Sequence, residues 1–266
     1  MGKVEVVWMR KWCGEEDGAG IDEKENRAED HTRDGVNNKQ EVRGKEEMKK
    51  PAYDGLYNRY IKRILDFVIT GIALLFLWPF YLIISVAIAV EDGFPVFYRA
   101  DRGGYKGKPF RICKFRSMVK NADKIGGGTT ALHDPRITKV GNILRKTKLD
   151  EIPQIGQVFL GKMSLIGPRP ELLRYVNQYE GEEKDILQVR PGITDFSSVE
   201  FINLDEIVGG ENADEMYEKH VLKKKNALRV KYAHEVSFTT DCYILFKTLA
   251  AVFNKAFGFL IKKEHR

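Results

Sequence analysis

The stretch Phe67 to Val90, FVITGIALLFLWPFYLIISVAIAV, runs for 24 residues without a charged side chain. As a helix rising about 1.5 Å per residue it would measure roughly 36 Å, enough for a hydrocarbon core of about 30 Å. Buried helices of soluble cores seldom run so far without a charge, so the stretch reads as a membrane segment. Pro79 falls near its middle, where a missing N–H and a ring clash bend or break a helix. Each half would then reach about the depth of one leaflet. Basic residues flank both ends, Arg59, Lys62 and Arg63 before it and Arg99, Arg102, Lys106, Lys108 and Arg111 after it. They pull both ends to the cytoplasmic side. A re-entrant helix hairpin over residues 57–91, turned at Pro79, satisfies both features; a kinked spanning helix is the alternative, because such helices tolerate proline.

The remainder of the 266 residues suffices for one sizeable folded domain with accessories. The net charge of +6 suggests an anionic partner without choosing among nucleic acid, phospholipid and a phosphorylated small molecule. Cys13, Cys113 and Cys242 form no CxxC pair and the histidines no HxxxH pair, which argues against a disulfide framework and a His or Cys metal site. Residues 1–52 mix charged residues, Asn and Gly with few apolar positions, the composition of a disordered charged tail. Residues 92–266 read as an α/β domain, mostly helical with a small β-hairpin. Val96 to Tyr98 and Phe110 to Phe115 suit strands around the turn-rich GGYKGKP, and Gly126 to Gly128 marks a loop. Helical spacing returns at Val140, Ile143 and Leu144, from Ile152 to Phe159, and from Leu172 to Tyr179. From Asp241 to Lys263, Leu245, Leu249, Val252, Phe253, Ala256, Phe257 and Leu260 share a face, which would lie either in a membrane interface or against the protein's own core.

The run Lys148-Leu149-Asp150-Glu151-Ile152-Pro153-Gln154 is where chemistry is most legible. Asp150 precedes a helical segment with proline in its first turn, a place for an N-cap. There the helix dipole favours negative charge. Adjacent carboxylates could also divide labour, one as nucleophile and the other as ligand for a hard cation such as Mg²⁺. Plain helix capping explains the same letters. Arg136, Arg145, Lys146, Lys148, Arg169 in GPRP and Arg190 in RPG supply the charges a diphosphate site requires. GGYKGKP fits neither a P-loop nor a dinucleotide fingerprint.

Six elements in order carry a resemblance: Lys62, Arg63 and Asp66 before the apolar run, KFRSM (Lys114 to Met118), DPRIT (Asp134 to Thr138), LRKTKLDEIPQ (Leu144 to Gln154), GKMSLIGPRP (Gly161 to Pro170) and RPGIT (Arg190 to Thr194). The series, from about Tyr57 to Phe253, resembles the bacterial sugar transferases, monotopic phosphoglycosyl transferases that act on polyprenol phosphate. The resemblance implies a re-entrant membrane helix, membrane lipid around it, and attachment to the cytoplasmic face of the bacterial inner membrane. It also implies that Asp150 attacks the sugar-bearing phosphate of a UDP-sugar, releasing UMP, and then passes the phosphosugar to undecaprenyl phosphate to begin a lipid-linked glycan. Glu151 would hold Mg²⁺, and Lys114, Arg116, Arg136, Arg145, Arg169 and Arg190 would bind substrate. Downstream glycosyltransferases are further candidate partners. The chain looks like the minimal form, without the additional N-terminal spans of larger members. After RPGIT, Asp195-Phe196-Ser197-Ser198-Val199-Glu200 replaces the Gly-Trp and Gly-Arg-Asn elements of many members, which puts the sugar pocket in question. An inert membrane-attached scaffold of a glycan pathway is the alternative function, against which the intact Asp-Glu pair speaks. No nucleic-acid recognition motif is present.

Overall fold

A computed structural model describes residues 51–122, 134–204 and 213–264, with side chains to 254; the charged tail over 1–50, the Gly126 to Gly128 loop and the side chains of Phe257 and Leu260 lie outside the described residues. The apolar run forms helix α1 (Lys62–Asp92), entered through a π-turn at Tyr57–Ile61. Pro79 lies inside α1 and does not end it, contrary to a break at that residue. A proline removes a single i→i−4 bond, and the neighbouring turns keep theirs. Gly93, with φ +70, stops the helix by donating its N–H to the Ala89 carbonyl in a conformation that glycine adopts without strain. Leu75, Phe76, Trp78, Phe80, Leu82, Ile83, Val86 and Val90 are exposed, a continuous apolar surface of the kind that a bilayer covers.

Both ends of α1 are fastened to the same folded unit. At the start, Arg63 caps the last turn of helix α3 (Pro153–Phe159) by donating to the Val158 and Phe159 carbonyls, each at 2.7 Å, while Asp66 accepts the Leu165 N–H. At the finish, Arg116 donates to the Asp92 and Gly93 carbonyls at 3.0 and 2.6 Å. There Glu91 also takes the first free N–H groups of helix α2 (Lys139–Thr147), those of Lys139 and Val140. A carboxylate at that point complements the positive helix end.

Strands β1 (Phe97–Arg102) and β2 (Phe110–Phe115) form the expected antiparallel hairpin, in register from Phe97↔Phe115 to Arg102↔Phe110. β1 runs on through Arg99-Ala100-Asp101-Arg102, past the expected end at Tyr98. A second sheet pairs β3 (Ser164–Ile166) in parallel with β4 (Gly192–Thr194). Glycine is required where these backbones approach, since a Cβ on Gly192 would lie 2.2 Å from the Gly167 nitrogen. The segment Leu172 to Tyr179 closes only one helical turn, α4 (Leu173–Val176). α5 (Phe196–Glu200) follows β4, capped by Asp195, whose carboxylate accepts the Ser198 N–H at 2.7 Å. α6 (Ala213–Met216) leads through a π-turn at Tyr217–Leu222 into α7 (Lys223–Glu235), and α8 (Phe238–Glu264) closes the chain.

Two apolar clusters position these pieces. Ile84 and Ile88 of α1 pack with Val96, Phe115 and Leu144, while Ile166, Val189, Tyr232, Ala233, Val236 and Ile244 hold β3, α7 and α8 together. Between the membrane helix and the second cluster lies buried Asp241, which accepts the Tyr57 and Tyr232 hydroxyls at 2.6 and 2.7 Å and pairs with Lys62. On the described part of the sequence-marked face of α8, Leu245, Leu249 and Phe253 are exposed, while Val252 is partly buried and lines the cavity described below. A buried ion pair broken on one side leaves an uncompensated charge. Lys62→Met should therefore lower unfolding stability by about 3 kcal/mol in detergent-solubilised protein. The double variant Lys62→Met with Asp241→Leu should lose less than Lys62→Met alone, measured by denaturant midpoints.

Candidate active site

Lys148 terminates α2 with φ +60, a left-handed residue that turns the chain sharply into the 3₁₀ turn Leu149–Glu151. The turn delivers two adjacent carboxylates to one place. Asp150 is not a helix cap, as its position had suggested: α3 begins at Pro153, its N-cap is Ile152, and no side chain caps it. Asp150 is instead buried at 8% exposure, and its Oδ1 has no hydrogen-bond partner among the described residues. Burial is the main influence on its carboxyl and pushes the pKa up; Lys114 is the foremost opposing charge.

Glu151 differs. Its Oε1 accepts Lys114 Nζ at 2.9 Å and also pairs with Arg169 Nη2. Burial is the largest single influence and opposes ionisation, yet Arg169 and Lys114 outweigh it and hold the carboxyl well below the usual range. Arg169 is fixed in turn by Nη1 donating to the Ile193 carbonyl at 2.9 Å and its backbone N–H donating to Asp195. The two prolines beside it supply local stiffness, while Asp195 and the β4 backbone supply the frame.

These groups line a cavity of about 1320 Å³. Lys114, Arg116, Arg136, Arg145, Lys146, Lys148 and Arg169 all reach it, as the sequence reading expects. Their commitments differ. Arg136 grips its neighbour Asp134 through Nε and Nη2 at 2.9 and 2.6 Å and donates to the Ala122 carbonyl, so part of its fork already serves the loop. Arg116 spends Nη2 on the end of α1 but keeps Nε and Nη1 buried without partners. Arg190 is not brought together with the others in the cavity lining: its Nε donates to the Gly161 carbonyl at 3.2 Å and its guanidinium lies 4.9 Å from the Tyr105 ring centre. A flat cation offered an aromatic face and a carbonyl settles there. Pro79 stays in the apolar helix, outside the cavity lining.

Sequence reasoning missed the far wall, formed by Glu171, Ser198, Phe201, Tyr217, Lys225 and Arg229. A signal existed. On α7 the buried positions Lys225, Asn226, Arg229, Tyr232 and Ala233 recur at helical spacing, so its inward face begins in polar residues.

Among the described residues no cluster of three or more His, Cys, Asp and Glu could hold a metal ion. Mg²⁺ needs less, since it typically takes one or two carboxylates and completes its shell with water and substrate phosphates. The orphaned Oδ1 of Asp150 and the Oε2 of Glu151, which takes no hydrogen bond from the described residues, fit that demand.

The sequence profile of the bacterial sugar transferases matches residues 57–255. The chain belongs to the bacterial sugar transferase family. It is 36% identical over 214 residues to the UDP-glucose:undecaprenyl-phosphate glucose-1-phosphate transferase of Escherichia coli strain K12, covering 77% of this chain and 44% of that one. It is 34% identical over 202 residues to the UDP-N-acetylgalactosamine-undecaprenyl-phosphate N-acetylgalactosaminephosphotransferase of Aeromonas hydrophila, covering 73% and 44%. With the exopolysaccharide production protein ExoY of Sinorhizobium fredii it shares 32% over 206 residues, covering 72% and 84%. The aligned part thus spans less than half of the first two relatives and most of the third. Asp150, Glu151, Lys114 and Arg169, and the membrane helix, all fall within the family's matched region.

Proposed function

We propose that the protein transfers a sugar-1-phosphate from a UDP-sugar to a polyprenol phosphate such as undecaprenyl phosphate, releasing UMP and beginning a lipid-linked glycan. The observation that carries this reading is the buried, unpartnered carboxylate of Asp150 in a cavity walled by cations, beside a Glu151 that two cations already hold. An Asp-Glu pair with such unequal surroundings divides into a reacting group and a fixed one.

In the first step an Asp150 oxygen attacks the sugar-bearing phosphorus of the diphosphate. A carboxylate–phosphorus bond forms, the anhydride P–O bond breaks, and UMP leaves with the electron pair. Arg169, Arg145 and Lys114 neutralise charge on the phosphates, and Lys148, which also lines the cavity, adds to the positive wall. In the second step a phosphate oxygen of the lipid attacks the same phosphorus and returns Asp150 to its carboxylate. Mg²⁺, when bound through Asp150 and Glu151, would supply further neutralisation of the diphosphate. The held Glu151 keeps its charge while Asp150 is consumed and regenerated.

The membrane course that fits this chemistry is re-entrant, with the soluble domain on the cytoplasmic face of the bacterial inner membrane. Support comes from the partners of α1. Arg63 bonds the C-terminal end of α3 and Tyr81 donates to the Ile152 carbonyl at its N-terminal end. Residues from both sides of the middle of α1 are thereby held against the two ends of one short helix. Exposed Leu245, Phe246, Leu249 and Phe253 on α8 suit the same interface.

Asp150→Asn should retain the fold and membrane attachment but lose UMP release from UDP-sugar by more than about 10³-fold, because an amide has no anionic oxygen to attack phosphorus. Full activity in this variant, or release of UDP in place of UMP, overturns the reading. For topology, Leu56→Cys and Lys108→Cys, each the sole cysteine, should both resist a membrane-impermeant thiol reagent in intact cells and both react in inverted vesicles. Labelling of one site from each side would establish a spanning helix.

A further inference from the structure

The wall of the cavity formed by α7 holds a cation with no hydrogen-bonded or ion-paired partner among the described residues, although Glu171 and Asp195 act on it through space. Lys225, in the first turn of α7, is buried at 6% exposure, and its Nζ sits 5.2 Å from the centre of the Tyr217 ring. Its side chain lines the same cavity as Asp150 and Arg169. No hydrogen bond or ion pair joins it to the described residues, and the nearby carboxylates are already engaged. Glu171 Oε2 pairs with Arg229 Nη2 at 3.0 Å and accepts the Tyr217 hydroxyl, while its Oε1 accepts the Leu172 N–H. Asp195 receives both hydroxyls of Ser197 and Ser198 together with the backbone N–H groups of Ser198 and Arg169. The stem of Lys225 is buried while its ammonium opens on the cavity, so the charge is offered to whatever anion or acceptor enters there. Burial first, and Arg229 second, push the Lys225 pKa down to about 7 against the opposing pull of Glu171 and Asp195.

Arg169 lines the same cavity. It pairs with Glu151, and its positive charge also acts on Lys225. A diphosphate whose attacked phosphorus lies at Asp150 would have its remaining polar groups inside the cavity that Lys225 also lines. On the basis of the proposed UDP-sugar reaction, we propose that Lys225 is a substrate-binding residue that donates to an acceptor oxygen of the UDP-sugar beyond the attacked phosphate. Two parts of that molecule carry such an oxygen, the leaving UMP phosphate and the sugar. The sequence departure at Asp195 to Glu200 adjoins this wall, because Asp195 bounds Lys225 electrostatically and Ser198 lines the cavity.

The test uses the full chain in lipid nanodiscs and compares the wild type with Lys225→Met, which keeps the stem and removes the charge. Thermal midpoint, affinity for UMP, affinity for a panel of UDP-sugars and UMP release are measured on both. The proposal expects an unchanged or higher midpoint, because a buried unpaired charge is gone, and donor affinity weakened by about tenfold or more, the scale of a hydrogen bond to a charged group. Weaker UMP binding with an equal loss for every UDP-sugar assigns the amine to the leaving phosphate. Unchanged UMP binding with altered discrimination among UDP-sugars assigns it to the sugar. Donor and UMP affinities within twofold of the wild type overturn the proposal, and so does a variant that unfolds or melts lower, which would make Lys225 a structural cation. A wild type that binds UDP-sugars but releases no UMP refutes the reaction while the binding comparison still judges Lys225. A wild type that binds no UDP-sugar refutes both.

Discussion

A single buried oxygen, Oε1 of Glu151, takes both Lys114 and Arg169, and the site is assembled around that shared contact. Lys114 comes from the hairpin, Arg169 from the segment after β3, and Glu151 from the turn between α2 and α3. One carboxylate therefore closes three separate pieces of chain around its neighbour. It also sets the division of labour. The cations that hold Glu151 ionised leave Asp150 with less direct pairing, so burial dominates the Asp150 carboxyl and raises its pKa. Like-charged neighbours in one low-dielectric pocket are driven apart in this way.

The membrane helix is part of the same construction. Ile84 and Ile88 pack on Phe115 and Leu144, each of which adjoins a cavity residue in sequence, Lys114 and Arg145. Glu91 caps α2, the helix that carries Arg145, and Arg63 caps α3, the helix that follows the Asp-Glu turn. A shift of α1 would therefore be felt at both α2 and α3. In the proposed reaction such coupling would hold the two substrates on one frame, which positioning chemistry demands.

The long uncharged run made α1 legible, and apolar periodicity did the same for α2 and α3. The local energetics of Pro79 were overstated, because packing on α3 and the surviving hydrogen bonds carry the helix through it. β1 was half hidden, since Arg99, Asp101 and Arg102 disguise a strand that is stabilised by its pairing with β2. The parallel pair β3 and β4, three residues each, is too short for periodicity and depends on a glycine contact between distant segments. At the site, the Asp-Glu pair and Arg169 could be picked out, but capping and catalysis look alike in sequence until the start of α3 is known. Lys225 was passed over, since one lysine of a Lys-Lys-Lys run carries no signal of its own, and only the fold shows that it lines the cavity while Arg190 rests on Tyr105.

The account turns on whether Asp150 becomes covalently attached to the phosphosugar. The most direct measurement is peptide mass spectrometry of the wild-type protein after exposure to UDP-sugar and Mg²⁺ in the absence of polyprenol phosphate, with rapid acid quenching. The account predicts a mass increase equal to one phosphosugar on the peptide containing Asp150, localised to that residue by fragmentation and removed when polyprenol phosphate is added. Turnover to lipid-linked sugar phosphate with no adduct at any time, or an adduct localised to a different residue, would contradict it.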